Sequence, residues 1–152
     1  MLKVVYVPPE WPTAVRRPDV PDWEVSAATW LLDACPPDYR AYTVLRRHPV
    51  TLAFLARLHV DGQIEAARVG FRTAGSLNAF VEPHTRDEIQ EVLRREGPRL
   101  VALAASIAAV EHALRGGTFT EQIRPDGARR IVPPSGDGPP RREPRARFFP
   151  RN

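Results

Sequence analysis

The placement of proline constrains this chain more than any other feature. Of seventeen prolines in 152 residues, seven lie in residues 1–37 and seven in residues 118–152, leaving only Pro49, Pro83 and Pro98 in the eighty between. Proline brings no amide donor and biases the residue before it away from helical geometry. The centre can therefore be helical while the two ends are not. The expected fold class is mainly α, with four to five helices around a long antiparallel helical hairpin. A minor β element is expected from an N-terminal strand at Lys3 to Val7 and a C-terminal hairpin, followed by a disordered tail. The expected divisions are a strand and proline-rich loop (1–21), a helical core (22–117), a β-hairpin (118–133) and a tail rich in proline and arginine (134–152).

Within the core, Asp22 stands where it can cap a first helix, in which Trp23, Ala27, Trp30 and Ala34 share a face and which Pro36 and Pro37 end. Asp38 can cap a second, "YRAYTVLRRH". Pro49 suits the first turn of a long third helix, whose periodicity runs to about Val81 unless "TAGS" ends it sooner. Thr85 and Glu88 stand in capping-box spacing for a fourth helix that Gly97 closes. Pro98 then opens a fifth, closed by Gly116 and Gly117 and seamed by Leu100, Leu103, Ile107, Val110 and Leu114. The last two helices together match the long one in length, which is the basis for the hairpin. Trp11 is expected to hold the N-terminal loop against the helices, and Pro125, Asp126 and Gly127 between two apolar runs give the β-hairpin signal.

A chain of this length can bury about 70% of its unfolded surface, so it needs no metal or disulfide to fold. Its single cysteine, Cys35, has no internal partner, which fits a reducing compartment and a cytoplasmic location. The opening "MLKVVYVPPEWP" is too short in apolar residues for a signal peptide, and Leu100 to Ala113 is too short to span a membrane, so no membrane association is expected. The formal charge of +4 is localised. Residues 1–117 hold 14 basic and 14 acidic side chains, and residues 118–152 hold 8 and 4. Nearly all the basic residues are arginine, a bias that GC-rich coding produces without selection for phosphate binding.

Chemistry has one candidate locus. At about 100° per residue, Arg57, Asp61, Glu65, Arg68 and Arg72 of the long helix share a narrow arc, and a broad apolar arc fills the rest. The flanks of that apolar arc are Leu55, Leu58, Val69 and Phe80 on one side and Ala56, Val60, Ile64, Ala67 and Phe71 on the other, so cover from two sides is expected. Midway between them lie Leu52, His59, Gln63, Gly70 and Leu77, which aims an imidazole and an amide at the deepest line. Folding the last helix back sets Glu111 level with Ala56. A cluster of His59, Gln63 and Glu111, with His112 as a fourth member, is expected to share hydrogen bonds. Such a set fixes helix register, because polar groups that enter a core must find partners. A carboxylate beside an imidazole can also act as a general acid or base, or supply two metal ligands.

The sequence lacks the HExxH and ExxH repeats of helical metal centres, and it carries no phosphate loop, dinucleotide fingerprint or nucleophile elbow. The reading therefore leans away from an enzyme and calls for no metal and no cofactor. His48 after two arginines, His84 at a helix start and Cys35 before two prolines are expected to be structural or solvated. The tail combines Arg141, Arg142, Arg145, Arg147 and Arg151 with Phe148 and Phe149, groups that can reach phosphates, stack on bases or dock into a partner's groove. The expected function is a non-enzymatic helical module that binds another protein or itself through packing faces and this tail. The alternatives are an accessory nucleic-acid-binding protein using the tail, and a small helical enzyme or metal site using His59 and Glu111.

Overall fold

The computed structural model describes residues 5–121, and they are mainly helical. Four α-helices run in order: α1 (Trp23–Asp33), α2 (Thr43–Arg47), α3 (Pro49–Thr73) and α4 (Pro83–Leu114). Short 3₁₀ turns at Pro37–Ala41 and Ala74–Ala79 join them, and there is no strand among the described residues. The core is built on fully buried Leu31 of α1, Leu52 and Val60 of α3, and Ile107 and Val110 of α4.

The two long helices pair with their contacts in opposite order. Arg57 meets Glu111 and Gly70 meets Leu93, so the partners descend along α4 as they ascend along α3. Gly70 makes the far end of that pairing close. A methyl group built on it would sit 3.2 Å from a Leu93 methyl, so a side chain there would require Leu93 to give way.

Several expected boundaries move. Gly97 and Pro98 do not divide α4, which runs through both. Pro98 brings no N–H to the Arg94 carbonyl, a loss worth about 3 kcal/mol in a helix interior. The offset lies in the seam. Leu93, Leu100, Ile107 and Leu114 recur every seventh residue across the proline, and a break at Gly97 would turn the first of them away from α3. Pro98 itself is exposed. Thr85 and Glu88 form no capping box, because α4 already begins at Pro83, where the missing N–H would have been unpaired anyway.

The segment expected to follow Asp38 as one helix divides into the 3₁₀ turn and α2, and α3 stops at Thr73, where "AGSLNA" tightens into the second 3₁₀ turn. Asp22 does precede α1, but it adopts a left-handed conformation (φ 60°) and its side chain caps nothing. Its carbonyl alone accepts, from the Val25 and Ser26 amides.

The expected strand at Lys3 to Val7 does not form in the part described. Val5 bonds sideways to side chains, its amide donating to Asp19 Oδ2 at 3.4 Å and its carbonyl accepting from Arg17. Trp11 anchors the loop that follows. It is buried, its indole donates to the Val15 carbonyl at 3.0 Å, and its ring lies 6.1 Å from Trp23 and 5.9 Å, edge-on, from Phe119. Ser106 of α4 adds a 2.7 Å bond to the Glu10 carbonyl. Residues 118–121 are irregular, and most of the expected β-hairpin and all of the expected tail lie outside the described residues. No helix among the described residues is long and apolar enough to cross a membrane.

If α4 is continuous, Pro98→Ala restores a helical hydrogen bond at an exposed position. It should raise unfolding stability by up to about 3 kcal/mol, read as a higher urea midpoint at unchanged slope. A lowered midpoint would mean that the chain turns at Pro98.

Candidate functional site

The buried line of α3 is Leu52, Ala53, Ala56 and Val60, continued by half-buried Ile64 and Ala67. Apart from Leu52, which belongs to the middle line of the apolar arc, these residues lie toward one flank of it. α1 and α4 cover α3 asymmetrically, so the other flank stays open, with Leu58 51% and Val69 42% exposed. His59 consequently sits at the margin, half-buried, and Gln63 is exposed. The two pair with each other, Gln63 Nε2 lying 3.2 Å from His59 Nε2, as neighbours one turn apart do.

Glu111 is where the sequence sets it along the axis, level with the Ala56–Arg57 turn, but its partners are arginines. It is the one buried charged side chain among the described residues. Its Oε1 accepts from Arg115 Nε at 3.1 Å and from Arg115 Nη2 at 2.8 Å, a charge-assisted pair one turn on. Its Oε2 lies 3.3 Å from Arg57 Nε, close enough for an ion pair but not aligned for a hydrogen bond. Arg57 also stacks over the Phe54 ring at 5.8 Å. Both arginine side chains are about half exposed (41% and 55%), although Arg57 Nε itself is buried, so the cluster is an ion pair at the edge of the core and not a charge sealed inside it.

His112 takes a third course. Its ring faces outward, with Nε2 donating to the Thr118 carbonyl at 3.2 Å and the ring 5.2 Å from Phe119. The helix end explains this. Gly116 has φ 83°, its amide bonds to the Ala113 carbonyl, and the Gly117 amide bonds to the His112 carbonyl, the paired bonds of a Schellman motif. A methyl group on Gly117 would fall 2.3 Å from the His112 ring, so the glycine lets the chain fold over the imidazole.

The expected four-member cluster is therefore three separate arrangements. Glu111 holds arginines, His59 holds Gln63, and His112 holds the segment after α4. The Glu111 carboxylate and the His59 imidazole share no hydrogen bond through which a proton could pass. Among the described residues no group of three His, Cys, Asp or Glu side chains is placed to hold a metal ion. His48 and His84 are both exposed, His84 within 3.4 Å of the Thr85 hydroxyl. Cys35 is buried, and desolvation pushes its thiol above the ordinary range. Arg141, Arg142, Arg145, Arg147, Phe148, Phe149 and Arg151 lie outside the described residues.

Sequence reading missed Arg57 as a partner of Glu111, although an arginine four residues after a glutamate, as Arg115 is, signals an ion pair on a helix. It also missed the open flank of α3. What the fold defines is thus a small helical protein with bare helix faces and no assembled catalytic set among the described residues. No protein-family model, no curated protein and no solved structure matches the chain.

Two measurements check these assignments. Glu111→Gln should cost about 1–2 kcal/mol in urea unfolding, below the 3–5 of a sealed pair because both arginines can rehydrate, while His59→Ala should stay within about 0.5. In the folded chain at pH 8, Cys35 should react with a disulfide reagent far more slowly than in urea, since it is both buried and held as the neutral thiol.

Proposed function

We propose that the chain is a small, non-enzymatic interaction module, framed by an antiparallel hairpin of α3 and α4, that pairs with a second copy of itself through the outward face of α3. The observation that carries this reading is the row Leu55, Leu58, Gly62, Ala66 and Val69. Leu55 is half-buried and the other four are exposed. Among the described residues nothing packs within 4 Å of where a Gly62 side chain would begin.

Helical geometry gathers the five within an arc of about 80°. Their spacing, 3, 4, 4 and 3, reads the same from either end. A two-fold interface requires residue i to meet j while j meets i. Two antiparallel copies of α3 centred on Gly62 satisfy this, with Leu55 opposite Val69, Leu58 opposite Ala66 and Gly62 opposite itself. Small residues at the crossing let the two backbones approach. Burial of the leucines and valines supplies the driving force.

The accessory nucleic-acid reading rests on the composition of the tail alone. The enzyme or metal reading for His59 and Glu111 requires both side chains at one substrate or ion, whereas each has its own partner. The exposed row favours association over either.

Sedimentation of the full chain should show a concentration-dependent dimer, and Leu58→Glu should weaken it by about tenfold or more without loss of helical content. Mild oxidation should cross-link Gly62→Cys into a dimer but leave Thr73→Cys uncross-linked, because two copies of residue 73 would stand about 33 Å apart. Buried Cys35 does not compete. A monomer at every concentration, or equal cross-linking at both positions, would overturn self-pairing.

A further inference from the structure

On the side of α3 opposite that row, an open groove of about 380 Å³ runs between α3 and the middle of α4. This is near the low end of the roughly 300–1,000 Å³ typical of small-molecule sites. Its floor is apolar, formed by Ile64, Phe71, Leu93 and Val101, and its mouth carries Arg68, Arg72 and Arg94. No carboxylate lines it.

Charge at the mouth is not balanced. Glu65 is shared by Arg68 and Arg72, each at 3.5 Å, and Glu91 is shared by Arg94 and Arg95. Arg95 lies outside the groove, so the three arginines of the mouth set against these two carboxylates leave an excess of one positive charge. Arg94 also lies over the Phe71 ring, 5.5 Å from its centroid, which sets a cation directly above the apolar floor.

Gly97 is the second observation. It lies inside α4 and lines the groove, and among the described residues nothing packs within 4 Å of where its side chain would begin. Glycine is a poor helix former, and packing among the described residues does not require one here. What its missing side chain leaves open is the groove itself.

We propose that this groove binds a free medium-chain fatty carboxylate, with the hydrocarbon on the apolar floor and the head group held by the arginines of the mouth. A guanidinium fork matches a carboxylate bidentately. The chain's own C-terminal segment is a poor occupant, because residues 118–152 carry 8 basic against 4 acidic side chains and would meet a mouth of the same sign.

Calorimetric titration of the full chain with decanoate, below its aggregation concentration, tests this. Decanoate should bind saturably, one per chain, and decanol and acetate should each bind about tenfold more weakly or worse, since each lacks one half of the match. The double variant Arg72→Ala, Arg94→Ala should lose about tenfold in affinity, and Gly97→Leu should abolish binding by filling the groove, both with unchanged helical content. Equal affinity for decanol, no saturable decanoate binding, or undiminished binding by Gly97→Leu would overturn the proposal. The self-pairing reading stands or falls separately, because Leu58 and Gly62 lie on the other side of α3.

Discussion

The pairing of α3 with α4 through an unbroken seam of every seventh residue is the interaction on which the rest of the structure depends. Leu93, Leu100 and Ile107 keep one side of α4 turned to α3, and Gly70 lets the two approach at the Leu93 end. Seam and proline act on α4 in opposite directions. Loss of one hydrogen bond at Pro98 is a local cost of about 3 kcal/mol, while burial of a single Leu or Ile side chain is worth about 1.5–3 kcal/mol and several are at stake. The helix therefore continues through a residue that ends helices elsewhere.

That seam also decides what happens to charge. Once α4 lies in this register, Glu111 is carried to the level of Arg57 at the rim of the core, where a carboxylate must be paired. Two arginines whose side chains remain about half exposed answer this, at the cost of burying Arg57 Nε. The pairing is thus a consequence of packing and contributes to it only modestly. Exposed pairs such as Glu96 with Arg99 show the same chemistry without burial. Glu96 is held below the usual carboxylate range by its hydrogen bond to Arg99, yet solvent screening leaves such a pair little influence on the fold.

Sequence reading succeeded where the determinant is local and failed where it is not. Pro49 at the start of α3 and Gly116–Gly117 at the end of α4 follow from backbone chemistry that any chain would obey. Trp11 against the helices follows from a large apolar ring in a segment that has little else to bury. The axial level of Glu111 also followed, because helical rise fixes distance along the axis. Its neighbours did not, because they depend on rotation about that axis. A broad apolar arc on α3 is compatible with cover on either flank or on both, and only the packing of α1 and α4, distant in sequence, chooses the flank of Ala56 and Val60. His59 moves from the expected centre to the margin by that choice alone. The continuity of α4 was legible in principle, since Leu93 shares the phase of Leu100 and Ile107, but Gly97 and Pro98 are adjacent stop signals and local reading gives them priority.

Helical glycines separate what the chain does for itself from what it leaves unfilled. Gly70 is explained inside the chain, because the space its side chain would take is occupied by Leu93. Gly62 and Gly97 stand in helices of the same pair, each at a cost near 1 kcal/mol relative to alanine, and no neighbour among the described residues occupies the space beside either. They lie against different surfaces, one beside exposed Leu58 and the other beside an apolar floor under three arginines. A fold held by a strong central seam can carry such residues without breaking. The same seam that absorbs Pro98 thereby leaves both outer surfaces free to be shaped by something other than the stability of the single chain.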